Sequence, residues 1–173
     1  ENNLILRYCD PRRFGSILWT DEDPLKHKLI KNLGPEPLNE EFDAKYLFSR
    51  LRNKEQCIKN TIMDSHVVVG VGNIYASEAL YYSGIRPQRI SKKVSMKEVN
   101  SLVKAIKNVI KDAIKKGGST MSDFFDVNGK NGYFQNEHRV YGREKKACIQ
   151  CQFLITQIKL GQRSSFYCKK CQK

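Results

Sequence analysis

Four cysteines in two local pairs constrain this chain most: Cys148-x2-Cys151, sixteen intervening residues, then Cys168-x2-Cys171. Each CxxC turn offers two thiolates to one ion, and QFLITQIKLGQRSSFY between the pairs can fold as a β-hairpin that brings them together. Four soft thiolates suit one structural zinc ion, closed to substrate. Such a hairpin is too small to bury a core, so metal binding supplies its folding free energy. Two disulfides are the competing reading and a rubredoxin-like iron site a further one; nothing marks the chain as secreted. Cys9 and Cys57 fall outside the pattern and read as ordinary thiols.

Charge points to the partner. Lys and Arg number 31 against 18 acidic residues, a formal +13, and such an excess attracts a polyanion through release of its counterions. A basic, merely soluble surface is the plain alternative. No apolar run approaches the roughly 20 residues of a membrane helix, and no basic amphipathic stretch with exposed aromatics suggests binding to a membrane surface. A first residue Glu1, followed at once by strand-like sequence, suggests a piece of something longer.

Along the chain, LILRYC (4–9) and SILW (16–19) read as short strands around the turn DPRRFG. The polar stretch through Gly34, Pro35 and Pro37 marks a boundary. Asn39 is placed to cap a helix over Glu40–Arg52, with Phe42, Tyr46, Leu47 and Leu51 inward. Helices are also expected over Lys54–Met63 and over Asn73–Ser83, the latter with Asn73 as cap and Gly84 past its end. The plainest helix is Met96–Lys116. Ser95 and Glu98 match a capping box, Gly117 and Gly118 end it, and Val99, Leu102, Val103, Ile106, Ile110, Ala113 and Ile114 share one face. Its lysines read as a solvated face.

The stretch VVVGVGNIYASEAL (67–80) has the look of a phosphate cradle. A dinucleotide fingerprint needs a third glycine where Tyr75 stands, and a Walker loop needs a Gly-Lys-Ser/Thr ending that is absent. Two readings remain from the residues alone. Either Gly70, Gly72 and Asn73 only shape a turn and cap a helix, or a helix N-terminus with close backbone approach receives an anion.

Taken together, DPRRFG, DSHVVVGVGNIYASEAL, GYFQNEHRVYGR and QRSSFYCKKCQK resemble the formamidopyrimidine-DNA glycosylase family, the Fpg/MutM branch of the Fpg/Nei base-excision repair enzymes. The resemblance runs through nearly the whole chain in the family's order. It implies an α+β fold: the end of an N-terminal β-sandwich with linker over 1–37, a helix–two-turn–helix domain over 38–140, and a zinc finger over 141–173. It implies double-stranded DNA carrying oxidised bases or abasic sites as partner, to a monomeric, bacterial, cytoplasmic protein associated with the nucleoid when bound. A flipped-out nucleotide leaves a gap that a planar cation and an aromatic wedge can fill. The family pattern gives Arg12 to the orphaned base, Arg13 largely to phosphate, and Phe14 to the wedge. A β-turn with two surface arginines and a buried Phe is the plain alternative. Lys59, Gly72 and Asn73 are implied in holding the backbone near the lesion, although Glu55 stands where a second basic residue is expected. Residues 127–134 match a lesion-covering loop, and Tyr141 and Arg143 either support it or pack. Arg163 at the finger tip matches the arginine that grips phosphates flanking the flipped nucleotide and is associated with δ-elimination. The zinc ligands are Cys148, Cys151, Cys168 and Cys171.

The family's chemistry is covalent. An N-terminal proline amine attacks C1′, and a Glu and a Lys move protons. A secondary amine at a chain terminus suits this because it is free near neutral pH. Glu1 is not that proline. The resemblance therefore implies the DNA-binding two-thirds of a β,δ-eliminating glycosylase/AP lyase for 8-oxoguanine and formamidopyrimidine, itself inactive. Alternatives are a non-catalytic zinc-dependent DNA-binding module, an oxidised-pyrimidine (Nei-like) enzyme, and an unrelated zinc ribbon for RNA or protein. DPRRFG favours the oxidised-purine branch.

Overall fold

A computed structural model describes residues 5–10, 13–118 and 137–173. It divides into two units, Glu1–Asn32 and Leu33–Lys173.

In the first unit the Asp10 carboxylate organises the turn. It accepts hydrogen bonds from the backbone N–H of Arg13 (3.0 Å) and Gly15 (2.7 Å) and from the Tyr8 hydroxyl (3.2 Å). A Cβ at position 15 would lie 1.8 Å from the Tyr8 oxygen, so a larger residue there would push the Tyr8 hydroxyl off Asp10. Residues 5–9 and 16–19, expected as strands, form none among the described residues. A strand exists only through the ladder a neighbour supplies, and here Ile5, Leu6, Ile17, Leu18 and Trp19 are exposed.

The second unit contains helices α1 (Ala44–Leu51), α2 (Ile58–Ile62), α3 (Asn73–Tyr82) and α4 (Met96–Lys115), then strands β1 (Ile155–Leu160) and β2 (Arg163–Cys168). The α+β class and the C-terminal hairpin are as expected. The capping box at α4 also forms: Ser95 N–H donates to Glu98 Oε2 (2.8 Å), and Glu98 N–H donates to Ser95 Oγ (3.4 Å). Burial pushes the Glu98 carboxyl up, but hydrogen bonds from Arg89 and Ser95 outweigh it and hold it at about 2. Ile114, expected inward, is 64% exposed, while its neighbour Ala113 takes the inward place in the last turn.

Three boundaries differ from the sequence reading. Asp43, not Asn39, caps α1, its carboxylate accepting from Tyr46 N–H at 2.7 Å, so the helix begins at Ala44. The stretch expected as a helix from Lys54 starts only at Ile58, because its backbone is claimed from outside. Lys92 N–H donates to Lys54 O, Ser91 N–H to Gln56 O, and Ile58 N–H to Arg89 O. Finally, Gly72 is the N-cap of α3 and Asn73 its first residue.

One apolar core joins α1 (Leu47, Leu51), α2 (Ile58, Ile62), α3 (Ala76, Ala79, Leu80) and α4 (Val99, Leu102, Ile106, Val109). α4 supplies a stripe at helical spacing, which is why one long helix can carry the others. A second, smaller cluster holds Tyr81 from α3 with Val140, Cys148, Ile155, Phe166 and Cys168. α3 therefore contributes to both, and the hairpin packs against it. No described helix is long and apolar enough to cross a membrane.

Candidate nucleic-acid interface and metal centre

The site grows from a lysine that folding has buried. Lys59 is 1% exposed, and its ammonium donates to Asn73 Oδ1 (2.6 Å), Ser164 O (2.9 Å) and Ser165 Oγ (2.6 Å). These groups come from α2, the first turn of α3, and β2. Among the described residues no carboxylate pairs with it. Three neutral acceptors replace water but do not cancel the charge. Burial is the main cause that lowers the Lys59 ammonium to about 8; Cys57 opposes the shift and the Arg163 charge adds to it.

Asn73 is thus a junction rather than a cap. Its oxygen accepts from Lys59, and its Nδ2 reaches the Tyr141 hydroxyl at 3.5 Å. Among the described residues no side chain caps the first turn of α3. Gly72, just ahead of it, has an ordinary φ of −79°, and a Cβ there would meet nothing within 4 Å. Its backbone conformation does not demand glycine; the space in front of the helix mouth is open. Gly70, at φ +73°, does need its freedom to turn the chain into the helix.

Arg163 pairs with Leu160 at the hairpin end and is exposed. The turn residue Gly161 (φ +59°) has its Cβ position 3.5 Å from Asn60 Nδ2 of α2. The fingertip therefore lies against the helix that carries Lys59. Lys59 thus joins Asn73 to the strand that begins at Arg163, three segments far apart in sequence. Arg13 and Phe14 belong to the first unit. There Arg13 has φ +57°, and Phe14 is 91% exposed rather than buried as a plain turn would have it. Arg12 and residues 127–134 lie outside the described residues. Arg143 packs, donating to His138 O and Ala147 O, and Tyr141 sits edge-on to Phe166 at 5.1 Å.

The four sulfurs of Cys148, Cys151, Cys168 and Cys171 lie within 4.8 Å of one another. The Cys151–Cys168 and Cys148–Cys171 separations are 3.4 and 3.8 Å. Both exceed a disulfide bond of about 2.05 Å and lie near the ~3.8 Å edge that metal–sulfur bonds of about 2.3 Å give a tetrahedron. Burial and neighbouring thiols raise Cys168 and Cys171. Burial also opposes ionisation of Cys148, but hydrogen bonds from Tyr81 and the Cys151 and Gln150 N–H groups hold it at about 6. Four crowded thiols ionise together only around a cation. The donor set fits a metal ion, with no ligand position left open.

The sequence reading missed Glu78. Though 1% exposed, it accepts from three successive backbone N–H groups: Arg139 (2.8 Å), Val140 (3.0 Å) and Tyr141 (2.9 Å). It fastens the chain entering the finger to α3. A signal existed: Glu78 is the sole charged residue of NIYASEALYY. Gln172, fully buried, similarly closes the C-terminal end by accepting from Cys168 N–H and donating to Ile85 O, both at 2.8 Å.

Comparison with known proteins gives one consistent answer. Residues 33–125 match the formamidopyrimidine-DNA glycosylase H2TH domain. Formamidopyrimidine-DNA glycosylase of Saccharophagus degradans is 53% identical over 171 residues, 99% of this chain and 63% of that protein. That of Neisseria meningitidis is 49% identical, over 100% of this chain and 63% of the relative. The chain thus spans about 63% of the length of these relatives. Among solved structures, MutM (Fpg) of Thermus thermophilus superposes with a TM-score of 0.87 at 35% identity, covering 94% of this chain and 62% of its own. A Lactococcus lactis Fpg mutant in complex with Fapy-dG-containing DNA gives 0.76 at 33%, covering 83% and 52%.

Proposed function

The chain belongs to the formamidopyrimidine-DNA glycosylase family, and on that footing we propose that its 173 residues hold damaged duplex DNA for a bifunctional glycosylase/AP lyase acting on oxidised purines. The observation that carries the reading is Lys59: a buried ammonium with no carboxylate partner among the described residues, beside a helix mouth that no described side chain caps and an exposed arginine. A phosphate supplies the missing negative charge, and helix N–H groups and a guanidinium are its usual partners. The formal charge of +13 draws the rest of the strand.

In this reading Gly72, Asn73 and Arg163 grip the backbone around the flipped nucleotide with the buried Lys59 charge behind them, and Arg163 serves the δ-elimination step. Arg12 and Arg13 meet the orphaned base and phosphate, and exposed Phe14 wedges the stack. Cys148, Cys151, Cys168 and Cys171 hold one zinc ion, which shapes the finger and takes no part in bond breaking. The protein works as a monomer in the bacterial cytoplasm.

Two measurements test this. Borohydride added to the whole protein with an 8-oxoguanine duplex traps a covalent protein–DNA adduct, while the 173 residues alone trap none. No adduct from the whole protein rejects the enzyme assignment, and an adduct formed only on oxidised pyrimidines moves it to the other branch.

The second is a binding titration of the 173-residue chain on an abasic-site duplex. Lys59 is charged below its pKa of about 8, and phosphate favours the charged form. Affinity is therefore full below that value and falls as pH rises through it, by up to about ten-fold one unit above. Lys59→Met flattens this profile. In the same assay Arg163→Ala lowers the slope of log affinity against log salt by about 0.9, one phosphate's share. A pH-independent wild type or an unchanged salt slope removes the corresponding residue from the interface.

A further inference from the structure

α3 reaches the metal centre through one further side chain. Tyr81 is 8% exposed and belongs to the small cluster around Cys148 and Cys168. Its hydroxyl lies 3.3 Å from Cys148 Sγ. The ring packs edge-on against Tyr82 at 5.7 Å, a contact a phenylalanine makes equally well. The apolar environment gives no reason for an oxygen there; the sulfur does. A metal-bound thiolate carries no proton, so the hydroxyl is the donor and the sulfur the acceptor.

We propose that the Tyr81 hydroxyl donates a hydrogen bond to the metal-bound Cys148 thiolate and so holds the metal in the finger against release and oxidation. The inference rests on the zinc reading above. Donation to a ligating sulfur withdraws electron density from its lone pairs, which are the site of attack by electrophiles. Partners of ligands around metals act this way generally. The donor belongs to α3, whose first turn carries Asn73. Retention of the metal is therefore tied to the helix that forms the other half of the candidate interface, and Tyr81 is a positioning residue for Cys148.

The test uses the zinc-loaded chain with a chromogenic chelator present and dilute hydrogen peroxide as probe. Peroxide oxidises two thiolates to a disulfide, takes up two protons and leaves as two waters, and zinc departs with its ligands. Tyr81→Phe keeps the ring and loses only the oxygen; it releases zinc about ten-fold faster than wild type. Tyr82→Phe, whose hydroxyl meets Arg139 instead, releases it at the wild-type rate. Replacing Tyr81 by 3-fluorotyrosine, a stronger donor of nearly the same size, slows release. With cobalt in place of zinc, Tyr81→Phe shifts the sulfur-to-cobalt charge-transfer band to lower energy, an effect that packing alone does not produce. Equal release rates for Tyr81→Phe and wild type, or an unmoved cobalt band, overturn the inference. A wild-type chain that takes up no zinc overturns the zinc reading instead, so the two failures are distinguishable.

Discussion

Replacing Cys168 by Ser, or stripping the metal with a chelator, unfolds the finger and lowers affinity for an abasic-site duplex by at least about 100-fold. The finger's own cluster contains Cys148 and Cys168 among its few buried members, and its strands are six residues each. Without the metal there is too little apolar surface to order that segment; structural zinc binding in such units is worth roughly 10–16 kcal/mol at neutral pH. The loss propagates. Ser164 O and Ser165 Oγ are two of the three acceptors that hold the Lys59 ammonium, and Arg163 sits at the end of the same strand. Losing the Arg163 phosphate contact and the fixed Lys59 charge, at about 1.5–3 kcal/mol each, accounts for the 100-fold. The helical core contains none of these cysteines, so far-ultraviolet helix signal persists while dispersion of the finger's NMR resonances collapses. Affinity retained within about two-fold places the finger outside the interface.

Glu78→Ala is the second large effect, and it changes neither a candidate metal ligand nor a candidate DNA contact. The substitution strips three successive backbone N–H groups of their acceptor inside the protein. An unsatisfied buried donor costs about 1–3 kcal/mol; only the Val140 N–H is fully buried and the other two partly regain water, so the total is roughly 3–5 kcal/mol and the melting temperature falls by about 10 °C. Glu78→Gln recovers only part of this, because one carboxylate oxygen becomes an amide that cannot accept. Hydrogen exchange accelerates at residues 139–141 first. Tyr141, which meets the Asn73 side chain, then loses its fixed position, so duplex binding weakens with stability. A melting temperature within about 2 °C of wild type means the linker is held by something else.

Those residues mark the reach of the sequence. Where a structural feature is made by neighbours in the chain, it was legible. The α4 capping box needs only Ser95 and Glu98, three residues apart. Each metal-binding turn needs one CxxC, and the sixteen residues between the pairs suffice for a hairpin. Errors arose where another group took a partner the local pattern had assigned, or where no partner came. Asn39 is an acceptable cap by type, but Asp43 stands three residues before Tyr46 and takes the N–H. Residues 54–57 have helical sequence, yet the chain at 91–92 occupies their carbonyls. Asn73 has a capping side chain that Lys59 engages instead. The strand-like stretches near the start have the right residues and, among the described residues, no ladder partner.

By itself, then, the sequence settled what depends on spacing along the chain: the four ligands and their pairing, the amphipathic face of α4, the order of segments and the likeness to one repair family. Tertiary structure alone decided that a lysine is buried with no carboxylate partner among the described residues, that Glu78 binds three N–H groups sixty-one to sixty-three residues away, and that a tyrosine hydroxyl meets Cys148. Spacing fixes which groups share a turn or a face. Burial and charge compensation depend on what other segments bring within a few ångströms, and that is known only when the chain has closed on itself.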